Sequence, residues 1–382
     1  MRKTNTQKTA KFHKALSLTI HMMIGAVIGY FIGEQVSKTG LFDLPLPQIL
    51  LAYGLLVLGV SLLLILVTIL HEMGHLVFGL LTGYRFVSFR VGSLMWIKQE
   101  GRLRCRRLTL AGTGGQCLMA PPPMVDGRYP VVLYNLGGAI MNLVSVPLFI
   151  GLWVLLSFNP WAALLMALGA ALSLGFALFN AIPLKTRLLS NDGQNTIELR
   201  KNQAAMRAFW LQLTINARLA EGARLKDLPG DWFAVPSDED MQNGIVAAIG
   251  VIAANRLMDE HRFMEAEQLM ARLKNMPSAI AGLHRGLMAC DRIYCELMGE
   301  NRPELINSML SPQQVKFMKA MGKFISVART QYALALLHGK DQTAADGWKA
   351  RFERIARSSP YPGDTQGEGE LIALAAQRGA GN

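Results

Sequence analysis

The chain has 382 residues, room for two or three domains. It is 51% hydrophobic and 17% charged, against about a quarter charged residues in a soluble globular protein, so a wholly soluble fold is excluded and part of the chain is expected in lipid. The net charge of +12 admits either nucleic acid or basic loops beside membrane spans, and the positions of the charges decide between them.

Residues 1–14 hold Arg2, Lys3, Lys8, Lys11 and Lys14 and no acid, and an apolar run follows to Gly33. No small-x-small site closes that run, so 15–33 reads as a retained span rather than a cleaved signal. Three more stretches are apolar enough to cross a bilayer: 48–82, 131–157 and 161–183. The second is too long for one straight crossing, so it is expected to extend past the hydrocarbon, tilt, or break near Gly54 or Gly59. Loop 34–47 has no basic excess. Loop 83–130 carries eight Lys and Arg against Glu100 and Asp126, and Lys185, Arg187, Arg200 and Lys201 follow the last span. This alternation predicts four crossings with both termini cytoplasmic, in a multi-pass protein of the cell membrane. Topology therefore accounts for the basic charge. No interleaving of basic and aromatic residues calls for nucleic acid.

Within loop 83–130 the stretch YRFVSFRVGSLMWIKQEGRLRCRRLTLAG alternates apolar and polar residues, and GTGGQCLMAPPP then breaks the pattern. A small sheet at the cytoplasmic membrane face is expected. A basic loop resting on anionic membrane lipid is the alternative. From about residue 200 charged residues return, with helical periodicity at 202–221, 240–258, 261–274, 279–299, 311–338, 343–357 and 367–378. Pairs of short helices of this kind resemble tetratricopeptide repeats; a generic helical bundle is the alternative. The fold class expected is mostly α: a transmembrane helical core with a small β element over 1–200, then a soluble cytoplasmic helical domain over 201–382 that offers a surface to a protein partner. Cys105, Cys117, Cys290 and Cys295 form no CxxC pair, which fits a reduced compartment or simple packing.

The chemistry concentrates in His71-Glu72-Met73-Gly74-His75. Residues i and i+4 lie one turn apart on one helix face, so two imidazoles can grip one Zn2+. Glu72 then stands beside the metal, placed to take a proton from a bound water. The preceding run, LLVLGVSLLLILVTIL, has no ionisable residue. Ionisable groups at that depth are costly and mark function. A catalytic zinc takes three protein ligands and keeps one position open. Asp192 is the only acid near the end of the last span before Glu198, although Asn-Asp-Gly is equally a turn and cap sequence.

An HExxH on an apolar helix, with Asn180-x-x-Pro183 and Asp192-Gly193 downstream, resembles the site-2 protease family of intramembrane zinc metalloproteases. The resemblance covers roughly residues 50–200. It implies that His71, His75 and Asp192 bind zinc, that Glu72 is the general base, and that Asn180 holds the substrate. Asn142, in LGGAIMNL, matches the middle span's asparagine and is likewise expected to bind substrate. The chain departs from the family in having Asn191 before the Asp, nine residues from Pro183 to Asp192, and Gly137-Gly138 where Gly-Pro is usual. The implied substrate is a transmembrane protein or membrane peptide, unwound locally before hydrolysis. The strands of 83–120 are expected to pair with it by adding a strand, with Val87 and Phe89 as the positions to disrupt. Competing readings are a membrane-anchored zinc protease of soluble peptides and a non-catalytic metal-binding scaffold.

Overall fold

The computed structural model describes residues 22, 25–26, 29–108, 113–184 and 191–381. The expected span 15–33 lies for the most part outside them, as do residues 109–112 and 185–190. The described chain is mostly helical, with one small antiparallel sheet.

Helix α1 (Leu46–Leu81) runs through 36 residues without breaking at Gly54 or Gly59. At 1.5 Å per residue it is about 54 Å long, against about 30 Å of bilayer hydrocarbon. It stops at Gly83, whose φ of 87° lets the Tyr84 N–H donate to the Gly79 carbonyl at 3.0 Å. Helices α2 (Val132–Leu155) and α3 (Pro160–Ala181) are joined by a short turn. Asn159 caps α3, its side chain accepting from Trp161 and Ala162 N–H. All three helices are long and apolar enough to cross a membrane. In the most apolar window of α1 only 6% is buried, and Leu50, Leu51, Leu55, Leu58 and Leu62 are exposed. Leaving each such side chain in water forgoes about 1.5–3 kcal/mol, so lipid is the solvent that suits this face.

Contacts divide the chain into two compact units: Met1–Gly74 with Leu136–Ile182, and His75–Asn135 with Pro183–Asn382. In the first, Leu63, Val67 and Phe149 form a small core that Leu165, Leu172 and Phe176 pack against. In the second, strands β1 (Arg85–Val91), β2 (Leu94–Gln99), β3 (Arg102–Arg107) and β4 (Gly115–Ala120) form a sheet in the order β3-β2-β1-β4. Glu100 and Gly101, both at positive φ, make the two-residue turn between β2 and β3. Val87 and Phe89 lie on β1, which is flanked by β2 and β4; Phe89 pairs with Trp96 and Cys117, and Val87 sits at the bulge between Phe86 and Ser88. The edges that can accept another strand are β3 and β4, so these, not β1, are where strand addition must be sought.

One sheet face, with Met95, Ile97 and Met119 fully buried, shares a core with helix α5 (Gln203–Ala220), which follows α4 (Asp192–Lys201). Beyond lie α6 (Gly244–Asp259), α7 (Phe263–Asn275), α8 (Gly282–Met298), α9 (Pro303–Met309), α10 (Pro312–Ala320), α11 (Ile325–Ala333), α12 (Gln342–Ser358) and α13 (Pro362–Ala380). The periodicity over 311–338 predicts one helix. The chain instead ends α10 before Gly322 and restarts at Ile325, finishing in a π turn at Leu334–His338. The apolar period survives that corner because both helices pack on one core. Helix α9, which opens on Pro303 at its first turn, was not expected from the pattern.

Gln99 ties sheet to helices. Its buried amide donates to the carbonyls of Ala220 at 3.3 Å and Pro360 at 2.7 Å. Gln99→Leu keeps the bulk but removes the donor from both carbonyls, a loss of about 1–3 kcal/mol. The variant should unfold at lower temperature than wild type in the same detergent, and an unchanged melting curve would show that this link does not hold the two layers together.

Candidate metal centre

His71, Glu72 and His75 sit in the last third of α1, the histidines one turn apart. His71 and Glu72 are buried. His75 Nδ1 lies 2.7 Å from the Tyr134 carbonyl, and its other nitrogen, Nε2, lies 3.6 Å from Asp192 Oδ2. A ring nitrogen from each histidine and a carboxylate oxygen of Asp192 fall within 4.8 Å of one another. The distant acid is thus brought to the motif. Among the described residues this is the one group of three or more His, Cys, Asp or Glu side chains so close together.

The local structure around Asp192 explains its sequence setting. Asn191 is the N-cap of α4, its side-chain oxygen accepting from Gln194 N–H at 3.0 Å. The same oxygen accepts from Leu184 N–H at 3.0 Å, and Asn191 N–H donates to the Leu184 carbonyl at 3.2 Å. Leu184 and Asn191 are therefore pinned to each other by both bonds. Asp192 occupies the first turn of α4, where a carboxylate suits the helix dipole, and its side chain turns to His75. The cap reading and the ligand reading fall on neighbouring residues and do not compete.

Glycines bring α1 and α2 together. A Cβ on Gly74 would strike the carbonyl of Gly137, and one on Gly138 would lie 2.5–2.7 Å from three atoms of the His71 ring. Gly137-Gly138 thus stands where any larger residue would displace the histidine. One turn further along α2, fully buried Asn142 places its amide nitrogen 3.4 Å from His71 Nδ1. The amide oxygen Oδ1 is buried with no hydrogen-bond partner among the described residues. The opposite amide orientation would let Oδ1 accept from a proton on His71 Nδ1 and leave Nε2 the lone pair that a metal needs. The Tyr134 carbonyl does the same for His75: it accepts from Nδ1–H and leaves Nε2 facing Asp192.

Two imidazoles and a carboxylate, with outer nitrogens held by hydrogen-bonding groups, are a donor set that fits zinc with three protein ligands. Asn180 is placed differently. It donates to the Phe176 carbonyl of its own helix at 2.9 Å, and no contact joins it to the ligand group. Sequence reasoning did not find Tyr134, because a backbone carbonyl leaves no signal in residue type. Comparison with family models, curated proteins and solved structures gives no match.

Gly138→Ala should weaken zinc binding by at least about tenfold, the usual scale for disturbing a ligand's supporting shell. Gly151→Ala on the same helix, where a Cβ meets nothing within 4 Å, should leave it unchanged. Metal content of the two purified variants after dialysis against graded chelator checks this.

Proposed function

We propose that the protein is an intramembrane zinc metalloprotease that hydrolyses peptide bonds of membrane-spanning substrates. The observation that carries this reading is the meeting of His71, His75 and Asp192 beside Glu72, on a helix long and apolar enough to cross a membrane. A solvent-facing enzyme needs no such helix around its nucleophile.

His71, His75 and Asp192 would hold the ion. When bound, zinc supplies Lewis acidity, lowering the pKa of water to about 7 and polarising a carbonyl. Glu72 takes the proton from the attacking water on its carboxylate and passes it to the departing amide nitrogen as the C–N bond breaks. Asn142 and the Tyr134 carbonyl orient the two imidazoles. The substrate helix must unwind before attack, and the open edges of β3 and β4 offer backbone groups to an extended segment. Asn180 is assigned to the substrate on the resemblance alone. In the cell the protein is placed in the membrane with both termini cytoplasmic, on the distribution of Lys and Arg.

Glu72→Gln separates the readings. Wild type and variant are expressed in cells and their membrane proteomes compared. The expected result is one or a few membrane proteins that accumulate full-length only with the variant, while the purified variant keeps its zinc. If the variant supports the same cleavage pattern as wild type, proteolysis by this site is refuted. If a soluble peptide is cleaved while membrane proteins are untouched, the substrate class is wrong.

A further inference from the structure

The helical part of the chain holds a cavity of about 540 Å³ between α5, α6, α8, α11 and the start of α13. That size lies within the range of ligand sites, about 300–1,000 Å³. Its wall carries two guanidiniums, Arg224 and Arg329, and four carboxylates: Asp259, Asp291, Asp364 and Glu368. Both guanidiniums are already committed. Arg224 bonds Asp259 at 2.6 Å and also Glu370. Arg329, 1% exposed, bonds Asp291 at 2.5 Å and Glu368 at 2.9 Å, with its guanidinium 4.4 Å from the ring centre of Tyr294.

Asp364 is what remains. Among the described residues it makes no hydrogen bond and no ion pair, and solvent reaches it at the cavity wall. The cavity therefore has negative charge in excess, with its own cations spent. These carboxylates do not converge tightly enough for an ion, because the described residues bring three ligating acids or histidines together only at His71, His75 and Asp192. A cation at the end of an apolar stem fits better. Such a stem can lie along Leu287, Ile325 and Leu371 while its head reaches a carboxylate.

We infer that this cavity binds a peptide segment carrying a basic side chain, with Asp364 as the carboxylate that receives the cation. The site is separate from the metal centre and stands whether or not the proteolytic reading does. Although Asp364 as a residue is exposed at the cavity wall, the protein packed around its carboxyl, then Glu368 on its own helix, Asp259 on α6 and Asp291 on α8, push that carboxyl up to about 7, with Arg329 on α11 opposing them. Glu368 is pushed up too, chiefly by burial. His284, across on α8, is pushed down by burial, and the Tyr361 hydroxyl is pushed up. An arginine peptide keeps its charge throughout. Its binding should thus strengthen by about tenfold from pH 6 to pH 8, as a single carboxyl near 7 ionises.

The test is calorimetric titration of the full chain in detergent with acetyl-Leu-Arg-Arg-Leu-amide. The expected result is binding that tightens about tenfold from pH 6 to pH 8, with no binding of acetyl-Leu-Glu-Glu-Leu-amide. Asp364→Asn should lose at least about tenfold in affinity at pH 8 and lose the pH dependence. The substitution breaks no ion pair. A carboxyl raised in the folded state favours folding at low pH, and that contribution is lost as pH rises through about 7, so at pH 8 the variant should melt no lower than wild type. No binding of the basic peptide at millimolar concentration would overturn the proposal. So would equal affinity for the acidic peptide, or an Asp364→Asn variant that melts normally and binds as wild type does. Argininamide binding as tightly as the peptide would overturn the assignment to a peptide.

Discussion

The site depends on two helices touching backbone to side chain with nothing between them. Gly138 leaves a gap on α2 that the ring of His71 fills. Tyr134, Gly138 and Asn142 follow one another at intervals of four, as His71 and His75 do on α1, so each helix presents one face to the other. His75 meets the Tyr134 carbonyl. His71 meets the Gly138 backbone and the Asn142 amide. A ring seated against a backbone has fewer ways to turn than one seated against a mobile side chain. The orientation of both imidazoles is therefore set by the packing of these two helices, and Asp192 is left as the member delivered by the first turn of α4.

That division explains what could be read from the residues alone. The HExxH spacing is a property of one helix, and local geometry carries it whole. The sheet was legible because alternation has a period of two and the glycines and prolines of GTGGQCLMAPPP break it, whereas the Glu100-Gly101 turn came only from the structure. Asp192 was only half legible. Its position depends on the bonds between Leu184 and Asn191, and no periodicity encodes a tether between residues seven apart. Asn142 was found through resemblance. Its amide nitrogen lies 3.4 Å from His71 Nδ1, a contact that no spacing in the residues encodes. The corner at Gly322 was missed because both helices bury their apolar faces in one core, so the hydrophobic pattern runs on through the break.

The long helices also clarify why a chain rich in leucine folds with so many glycines in its apolar segments. Between helices that lie in lipid, the hydrophobic effect gives little driving force, and close packing takes its place. Gly59 admits the side chain of Leu165, Gly169 admits Phe149, and Gly138 admits His71. In the first two the guest is apolar and the gain is dispersion. In the third the guest is a histidine of the candidate metal centre. The same device that joins the helices thus fixes the chemistry, and the glycine beside the histidine differs from its neighbours only in what it receives.

Two polar clusters sit at opposite ends of this economy of burial, and stability explains neither. Ionisable side chains in an apolar helix cost about 2.5–3.5 kcal/mol each on insertion scales. Arg329, nearly inaccessible beside Asp291 and Glu368, belongs to a type of buried pair that apolar residues of equal volume often replace without loss. A fold selected for rigidity alone would carry leucine in both places. The charges make sense as groups held ready for something outside the chain: an ion between the two histidines and Asp192, and a cation beside Asp364. On the reading proposed above, Asp364 is the acid of its cavity that Arg224 and Arg329 leave unmatched, and that is where a cation would enter.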